Sequence, residues 1–345
     1  MNKRNLFIFL VIAPLFAITM AGVKVYHSIQ MWRYDGPNVE FQVKPGEGFS
    51  KINYRLKKHE LISSAKIFHR YAQVNGMMTK LKAGNYIIKT DSNMIDIINT
   101  LFKGHGITIP VTIPEGKNIF EIGKSLESKG ITKYSDFIAL AKNPDFASEL
   151  NIPASRVEGY LYPDTYNFTK DTPAKQVIKT MVRQFNKKLD QLDFSSAPFS
   201  KHSVVTLASI VEKETGASFE RPMIAGVFHN RIKKRMRLQS DPTTIYGIYE
   251  NYKGNLRKKH HLQKTPYNTY KISGLPIGPI SNPGLESIKA VLNPKLHKYI
   301  YFVSKNDGTH IFSENYKQHV NAVNKFQKSK KYRKGRSWRN LKKKQ

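Results

Sequence analysis

An α+β protein is what this sequence predicts: an apolar N-terminal helix that spans a membrane, a small strand-helix-helix-strand module, and a larger mixed α/β domain with an open groove. Three observations predict it. An uncharged apolar run, LFIFLVIAPLFAITMAGV, stands at Leu6 to Val23. Short strand-like runs bounded by Gly, Pro and Asn alternate with helical patterns along most of the chain. From Leu238 to Gly284 the composition turns to Tyr, Asn, Thr, Gly and Pro, which disfavours a buried sheet and suits a groove walled by ring faces, amides and hydroxyls. At 345 residues the chain is long enough for two or three domains with cores of their own. The expected boundaries are 1–25 for a cytoplasmic N-terminus and anchor, 39–105 for the small module, 106–327 for the larger domain and 328–345 for a basic, disordered tail.

The first element is the apolar run. Roughly 20 residues cross a hydrocarbon core, whereas signal-peptide apolar regions run about 7 to 15, so its length favours a retained anchor over a cleaved leader. Lys3 and Arg4 precede it, and the positive-inside rule then places the N-terminus in the cytoplasm and the rest of the chain outside. Tyr26 to Asn38 reads as a juxtamembrane helix or linker. The small module opens with a strand at Glu40 to Val43, turns at Lys44-Pro45-Gly46, forms helices over Lys51 to Lys58 and Ala65 to Asn75, and returns as a strand over Gly84 to Ile88. A further helix spans Ser92 to Phe102, with Ser92 as its N-cap and Gly104 as its stop.

A strand at Ile107 to Ile113 starts the larger domain, followed by helical patterns at Ile119 to Lys129 and Tyr134 to Ala141. Glu158 to Tyr166 (EGYLYPDTY) is punctuated by Gly159 and Pro163 and reads as a loop. Helices are expected at about 173–190, 202–214 and Phe219 to Lys234. In QSDPT a fourth begins, with Asp241 as its cap and Pro242 at the first helical position. The formal net charge is +32, from 57 Lys and Arg against 25 Asp and Glu. Such a balance ordinarily raises nucleic acid as a partner, but an exported domain meets anionic lipid and acidic wall polymers instead, so no nucleic-acid partner is expected. The absence of cysteine fits a bacterial exported protein whose stability comes from packing.

The chemistry centres on Glu214. Leu207, Ile210, Val211 and Glu214 stack as one ridge of a helix, so this carboxyl faces inward among aliphatic side chains, while Glu212 points away and reaches solvent. Burial raises a carboxyl pKa and keeps a proton ready for donation; a structural role, pairing with an Arg or ending the helix before Gly216, is the alternative. Tyr160, Tyr162, Tyr166, Tyr246, Tyr267 and Tyr270 are candidate platforms for sugar rings, whose C–H faces stack on aromatics. No GxxxxGK[ST], GxSxG or HExxH motif occurs, and there is no thiol nucleophile. His260-His261 sits among Lys and Arg, and His310 and His319 are too loosely spaced for ligation, so neither a metal nor another cofactor is expected. Hydrolysis of a glycosidic bond uses two carboxyls, with Asp164 and Asp241 available as the second. A single acid suffices where the substrate carries its own nucleophile: in peptidoglycan the C6 hydroxyl of N-acetylmuramic acid attacks its own C1 and closes a 1,6-anhydro ring.

The segments EGYLYPDTY, LASIVEKET, VFHNRIKKRMRLQSDPTTIYG, TPYNTYKISGLPIGPISNPG and YIYFVSKNDGTHIFSENYKQH, in this order, resemble the YceG-like family of endolytic murein transglycosylases. The resemblance runs from the anchor to about Gln327. It implies a single-pass inner-membrane protein with a periplasmic catalytic domain, a peptidoglycan lytic transglycosylase that cuts the MurNAc-GlcNAc bond within nascent glycan strands beside the peptidoglycan synthases and limits strand length. The catalytic acid it implies is the second Glu of EKET, Glu214. Its groove motifs fall on Glu158, Tyr160, Asp164 and Tyr166, on Gln239, Asp241 and Thr243, and on Tyr267, Asn268, Thr269 and Tyr270. Residues 39–105 look like the family's LysM-like subdomain, which implies glycan binding. The basic tail lies outside the family pattern, and Ile277 stands in LPIGPI where relatives often carry a second proline. A muramidase with the same acid and an activated water, or a non-catalytic wall-binding scaffold, are the alternatives.

Overall fold

The computed structural model describes residues 8–333 apart from Pro45, Lys82, Gly104, His105 and Ser196. The basic N-terminus at Lys3 and Arg4, the expected stop at Gly104 and most of the basic tail lie outside the described residues. The chain forms two compact units, one of residues 1–110 and 167–172, the other of 111–166 and 173–345.

The first unit begins with a continuous helical run from Leu10 to Met31, long and apolar enough to cross a membrane. Its central part, α1 (Ala13–Tyr26), buries none of its residues against protein. Beyond Tyr26 the helix continues through a π-turn at His27–Met31 and enters the unit's core without a loose linker: Ser28 is buried, and Ile29 and Trp32 pack on the core. Ser63 Oγ donates to Ser28 O at 3.3 Å, and Tyr34 N to Ser92 O at 2.9 Å. Strands β1 (Val39–Val43) and β2 (Gly84–Ile88) pair antiparallel, from Val39 opposite Ile88 to Val43 opposite Gly84. Between them α2 (Phe49–Lys58) and α3 (Ala65–Val74) turn Ile52, Leu56, Phe68 and Ala72 into the same core as Phe41, Tyr86 and Ile88. Helix α4 (Met94–Ile98) is capped by Asn93, not by Ser92: Asn93 Oδ1 accepts from Asp96 N and Asp96 Oδ2 accepts from Asn93 N, a reciprocal box that satisfies two otherwise orphaned donors.

In chain order β3 (Ile109–Thr112), α5 (Ile119–Ser128), α6 (Tyr134–Ala141), α7 (Pro144–Glu149) and β4 (Thr165–Phe168) follow, with β3 paired to β4. The loop expected to run through Tyr166 therefore ends in a strand. Helix α8 (Ala174–Leu189) shows a clean apolar face, Val177, Ile178, Met181, Val182, Phe185 and Leu189, at the 3.6-residue period. Helix α9 (Lys201–Glu214) is different, because every residue from Val204 to Val211 is buried. It is covered all round, packing against α10 (Arg221–Lys233), α11 (Asp241–Gly247) and α13 (Leu285–Leu292), with α12 (Lys258–Leu262) preceding α13 in the chain. A β-hairpin, β5 (Tyr301–Ser304) with β6 (His310–Ser313), and helix α14 (Tyr316–Val323) complete the second unit. The chain past α14 is tied down, Asn306 Nδ2 donating to Phe326 O at 2.7 Å, and Lys330–Arg333 is helical.

Glycine is required at residue 159. Its φ is +87°, a region that L side chains rarely occupy, and a Cβ there would lie 2.4 Å from Pro279 Cγ. This contact seats the 158–166 segment directly on the 274–284 segment.

Candidate active site

Glu214 is the last residue of α9, and Thr215 leaves the helix in an extended conformation. The residue is half-buried, and its carboxyl is largely desolvated. Loss of solvation raises its pKa to about 7, against a lowering by the Ser240 hydrogen bond; Asp241 raises it further and Arg231 lowers it. Its position at a helix C-terminus, where the carbonyl dipoles point, disfavours the ionised form as well. Ser240 Oγ donates to Glu214 Oε1 at 2.5 Å. The hydrogen-bond partner is a hydroxyl and not a cation; Arg231 acts on this carboxyl only through its charge, and desolvation outweighs it.

Arg231 is buried beneath this site, with Nε on Ile300 O and Nη1 on Leu238 O, each at 2.7 Å, and its guanidinium 5.3 Å from the Tyr301 ring centroid. The backbone carbonyls to which it donates belong to Ile300, just before β5, and to Leu238, next to the Arg237–Gly274 bridge. It therefore holds the chain at Arg237 and Leu238, just before Ser240. Asp241 lies on the open side, its side chain 54% exposed, where Oδ1 accepts from the Tyr270 hydroxyl at 2.7 Å. Desolvation and this carboxylate together push the Tyr270 phenol up. Asp241 is the first residue of α11 and not its cap; Ser240 holds the N-cap position and makes no capping bond.

Thr243 and Thr269 are fully buried and join their hydroxyls at 2.8 Å. Asn268 is the knot of the following loop, with Nδ2 donating to the carbonyls of His260, His261 and Gln263 and Oδ1 accepting from Thr244 Oγ1 and Tyr270 N. Gln239 is exposed and donates its N–H to Thr269 O. The fold thus gathers Glu214, Gln239, Asp241, Thr243, Asn268, Thr269 and Tyr270 from three separate segments into one place. Within that group Thr243 and Thr269 bond each other, Asn268 bonds Thr244 and the loop backbone, and the three form the framework, while Gln239, Asp241 and Tyr270 keep exposed surface.

The 158–166 segment has another character. Glu158 is fully buried, Oε2 accepting from Ile119 N at 3.0 Å and Oε1 from Asn282 Nδ2 at 2.8 Å; desolvation raises its pKa to about 7. Asn282 also receives Leu161 N and donates to Lys117 O. The pair ties the start of α5, the 158–161 turn and the 281–284 segment together, so Glu158 offers no oxygen to a ligand. Asp164 is committed to Thr165 N and Gln184 Nε2. Tyr160 donates to or accepts from His202 Nδ1 at 2.9 Å, and Tyr166 donates to Tyr162 O. Tyr160, Tyr162, Tyr166, Tyr246 and Tyr267 are all buried. Five of the six expected ring platforms are thus packed inside, Tyr246 against Tyr267 at 4.7 Å and Tyr160 against Phe185 at 5.0 Å, leaving Tyr270 with an accessible face.

Glu212 also departs from expectation. Its side chain is 6% exposed and pairs with Arg221 at 2.9 Å, while Oε2 accepts from Gly284 N and Ser287 Oγ. An outward Glu212 would need open solvent at that position of α9, and Arg221, Gly284 and Ser287 from other elements occupy it instead. The two acids still differ in partner: a guanidinium and two donors for Glu212, one hydroxyl for Glu214. Ser240 and Arg231 were not legible as site residues, because nothing local in QSDPT or in HNRIKK marks a partner for residue 214.

The profile of the YceG-like family matches residues 41–325. An endolytic murein transglycosylase of Bacillus subtilis is 34% identical over 313 residues, covering 85% of this chain and 86% of that protein. One from Streptococcus pneumoniae is 30% identical over 319 residues, and the match spans 81% of this chain but 57% of that longer protein. A crystal structure of a yceG-like protein from Listeria monocytogenes superposes with a TM-score of 0.54 at 32% identity, covering 82% of this chain and 98% of that one. The matched length, the identities and the shared fold lead to one assignment: the chain belongs to the YceG-like family.

Proposed function

We propose that this protein is a membrane-anchored endolytic peptidoglycan lytic transglycosylase and that Glu214 is its general acid and base. The observation that carries the reading is the largely desolvated Glu214 carboxyl, its pKa raised to about 7 and its hydrogen bond made to a hydroxyl where a structural acid would bond a cation. The names of the relatives support the substrate class. In the reaction Glu214 gives its proton to the glycosidic oxygen between MurNAc and GlcNAc as the C1–O bond breaks. The C6 hydroxyl of the same muramic residue then attacks C1, and its proton returns to Glu214. The products are a free GlcNAc end and a 1,6-anhydroMurNAc end, with no water consumed. Cleavage within strands that are still being extended would limit their length, and the family resemblance makes the polymerising synthases the expected neighbours.

Groove contacts are proposed for Gln239, Asp241 and Tyr270, which keep accessible surface beside Glu214. The apolar N-terminal helix supports anchoring, with the second unit on the outer face of the membrane, and the 39–105 module is proposed to bind glycan. A hydrolytic reading is favoured by one feature: Asp241 is not consumed as a helix cap and stands near Glu214 as a second carboxylate. Mass spectrometry of products from uncrosslinked glycan strands separates the two, because anhydro ends are one water lighter. Glu214→Gln keeps an isosteric acceptor for Ser240, so it should bind strands, fold normally and release no fragments; normal turnover in this variant sinks the assignment.

A further inference from the structure

Ser240 stands between the expected groove positions Gln239 and Asp241, and four features of the fold converge on its hydroxyl. It is 2% exposed. Its N–H donates to Thr269 Oγ1 at 3.0 Å and its carbonyl accepts from Thr243 Oγ1 at 2.6 Å, so two buried threonines, themselves bonded to each other, grip its peptide groups from both sides. It occupies the N-cap position of α11, where a serine hydroxyl ordinarily accepts from the backbone of the first turn, and it makes no such bond. Immediately before it Gln239 holds φ at +51°, a left-handed conformation that non-glycine residues adopt at a cost in strain. A forgone cap and a strained neighbour are the marks of a local arrangement kept for something other than stability. What the arrangement achieves is to aim Ser240 Oγ at Glu214 Oε1.

We propose that Ser240 is a positioning residue for the reaction assigned above: its hydroxyl fixes Glu214 Oε1 as an acceptor, so that Oε2 is the oxygen that carries the proton to the glycosidic bond and receives it back. The inference rests on the proposed role of Glu214. One consequence is that Ser240 also governs when Glu214 ionises, since a donated hydrogen bond favours the carboxylate. The other groups acting on Glu214 are Asp241 at the start of α11, Arg231 on α10 and Tyr270 in the loop that carries Thr269, with His261 3.8 Å from Asp241. Removing the hydroxyl leaves all of these in place.

The test uses the full chain in detergent micelles. Infrared difference spectra over a pH series follow the carboxyl band that is lost in Glu214→Gln, and product release from glycan strands gives kcat and KM across the same series. Ser240→Ala should move the Glu214 midpoint and the alkaline limb of kcat to higher pH and lower kcat about tenfold at unchanged KM, and Ser240→Thr should restore all three. Ser240→Gly, with a residue that N-cap positions accept readily, should reproduce the alanine result on a native fold. A midpoint unmoved in both the Ala and Gly variants overturns the proposal. So does loss of the native fold in both, which would make Ser240 a folding residue, and so does a Thr variant that restores neither limb nor rate. The infrared midpoint reads the Ser240–Glu214 pair without catalysis, so an active Glu214→Gln enzyme refutes the proposed function separately.

Discussion

Among the described residues two carboxyls have pKa values raised to about 7 by burial, and one of them is placed to use the proton. Glu158 spends both oxygens on Ile119 N and Asn282 Nδ2 inside the fold, whereas Glu214 is bonded to one hydroxyl and keeps partial solvent access. The shift also has a thermodynamic signature. A carboxyl whose folded pKa lies above its unfolded value binds its proton more tightly in the folded state, so its contribution is fully present below about pH 4.5 and is lost as pH rises through about 7. Replacing Glu214 by Gln removes that loss. The variant should therefore match the wild type near pH 4.5 and be more stable at pH 8, by an amount on the order of 2–3 kcal/mol. Equal melting temperatures at pH 8 would show that the wild-type carboxyl is solvated. The sequence was informative about Glu214 because its ridge neighbours are aliphatic. It was misleading about Glu212, whose partners Arg221, Gly284 and Ser287 come from other elements.

At the scale of elements, helices whose signals are local were legible and contacts between elements were not. Periodic apolar positions located α2, α3, α5, α6, α8 and α9 to within a residue or two, since the period of a helix is written in its own side chains. Caps were harder: Asn93 took the role expected of Ser92, and Ser240 took the position expected of Asp241, because adjacent polar residues compete for one geometric slot. The short α7 and the hairpin of β5 and β6 carry too few residues to show a period. The 158–164 part of the segment was read correctly as irregular through its glycine and proline, but residues 165–166 belong to β4, and its tyrosines turned inward, which only the neighbours Phe185, Pro279 and His202 decide. Gly159→Ala tests that packing. The substitution combines a positive φ with a Cβ 2.4 Å from the Pro279 ring, so it should destabilise by roughly 2–4 kcal/mol and lower the melting temperature; a stability change under about 0.5 kcal/mol would mean that the two segments part easily.

At the scale of the whole molecule, the apolar N-terminal helix runs without a break into the first unit, since Ser28 is buried and Ile29 and Trp32 pack against that unit's core. A chain beginning at His27 should leave the membrane fraction and keep the first unit's stability. A chain beginning at Trp32 should also be released but melt at lower temperature, by about 1–2 kcal/mol for the lost Ile29 and Ser28 packing. Identical melting of the two truncated chains would refute the continuous joint. The sequence by itself determined the membrane-length apolar run, the βααβ order of the first unit, the helix that carries Glu214 and the family, because each of these is encoded in contiguous residues or in ordered motifs. Tertiary structure alone decided which acid is held by a cation and which by a hydroxyl, which tyrosines keep a free face, and that Ser240 meets Glu214 across 26 positions of chain. The physical reason is that burial and hydrogen-bond partnership are properties of the space between elements, and that space exists only once the chain has folded.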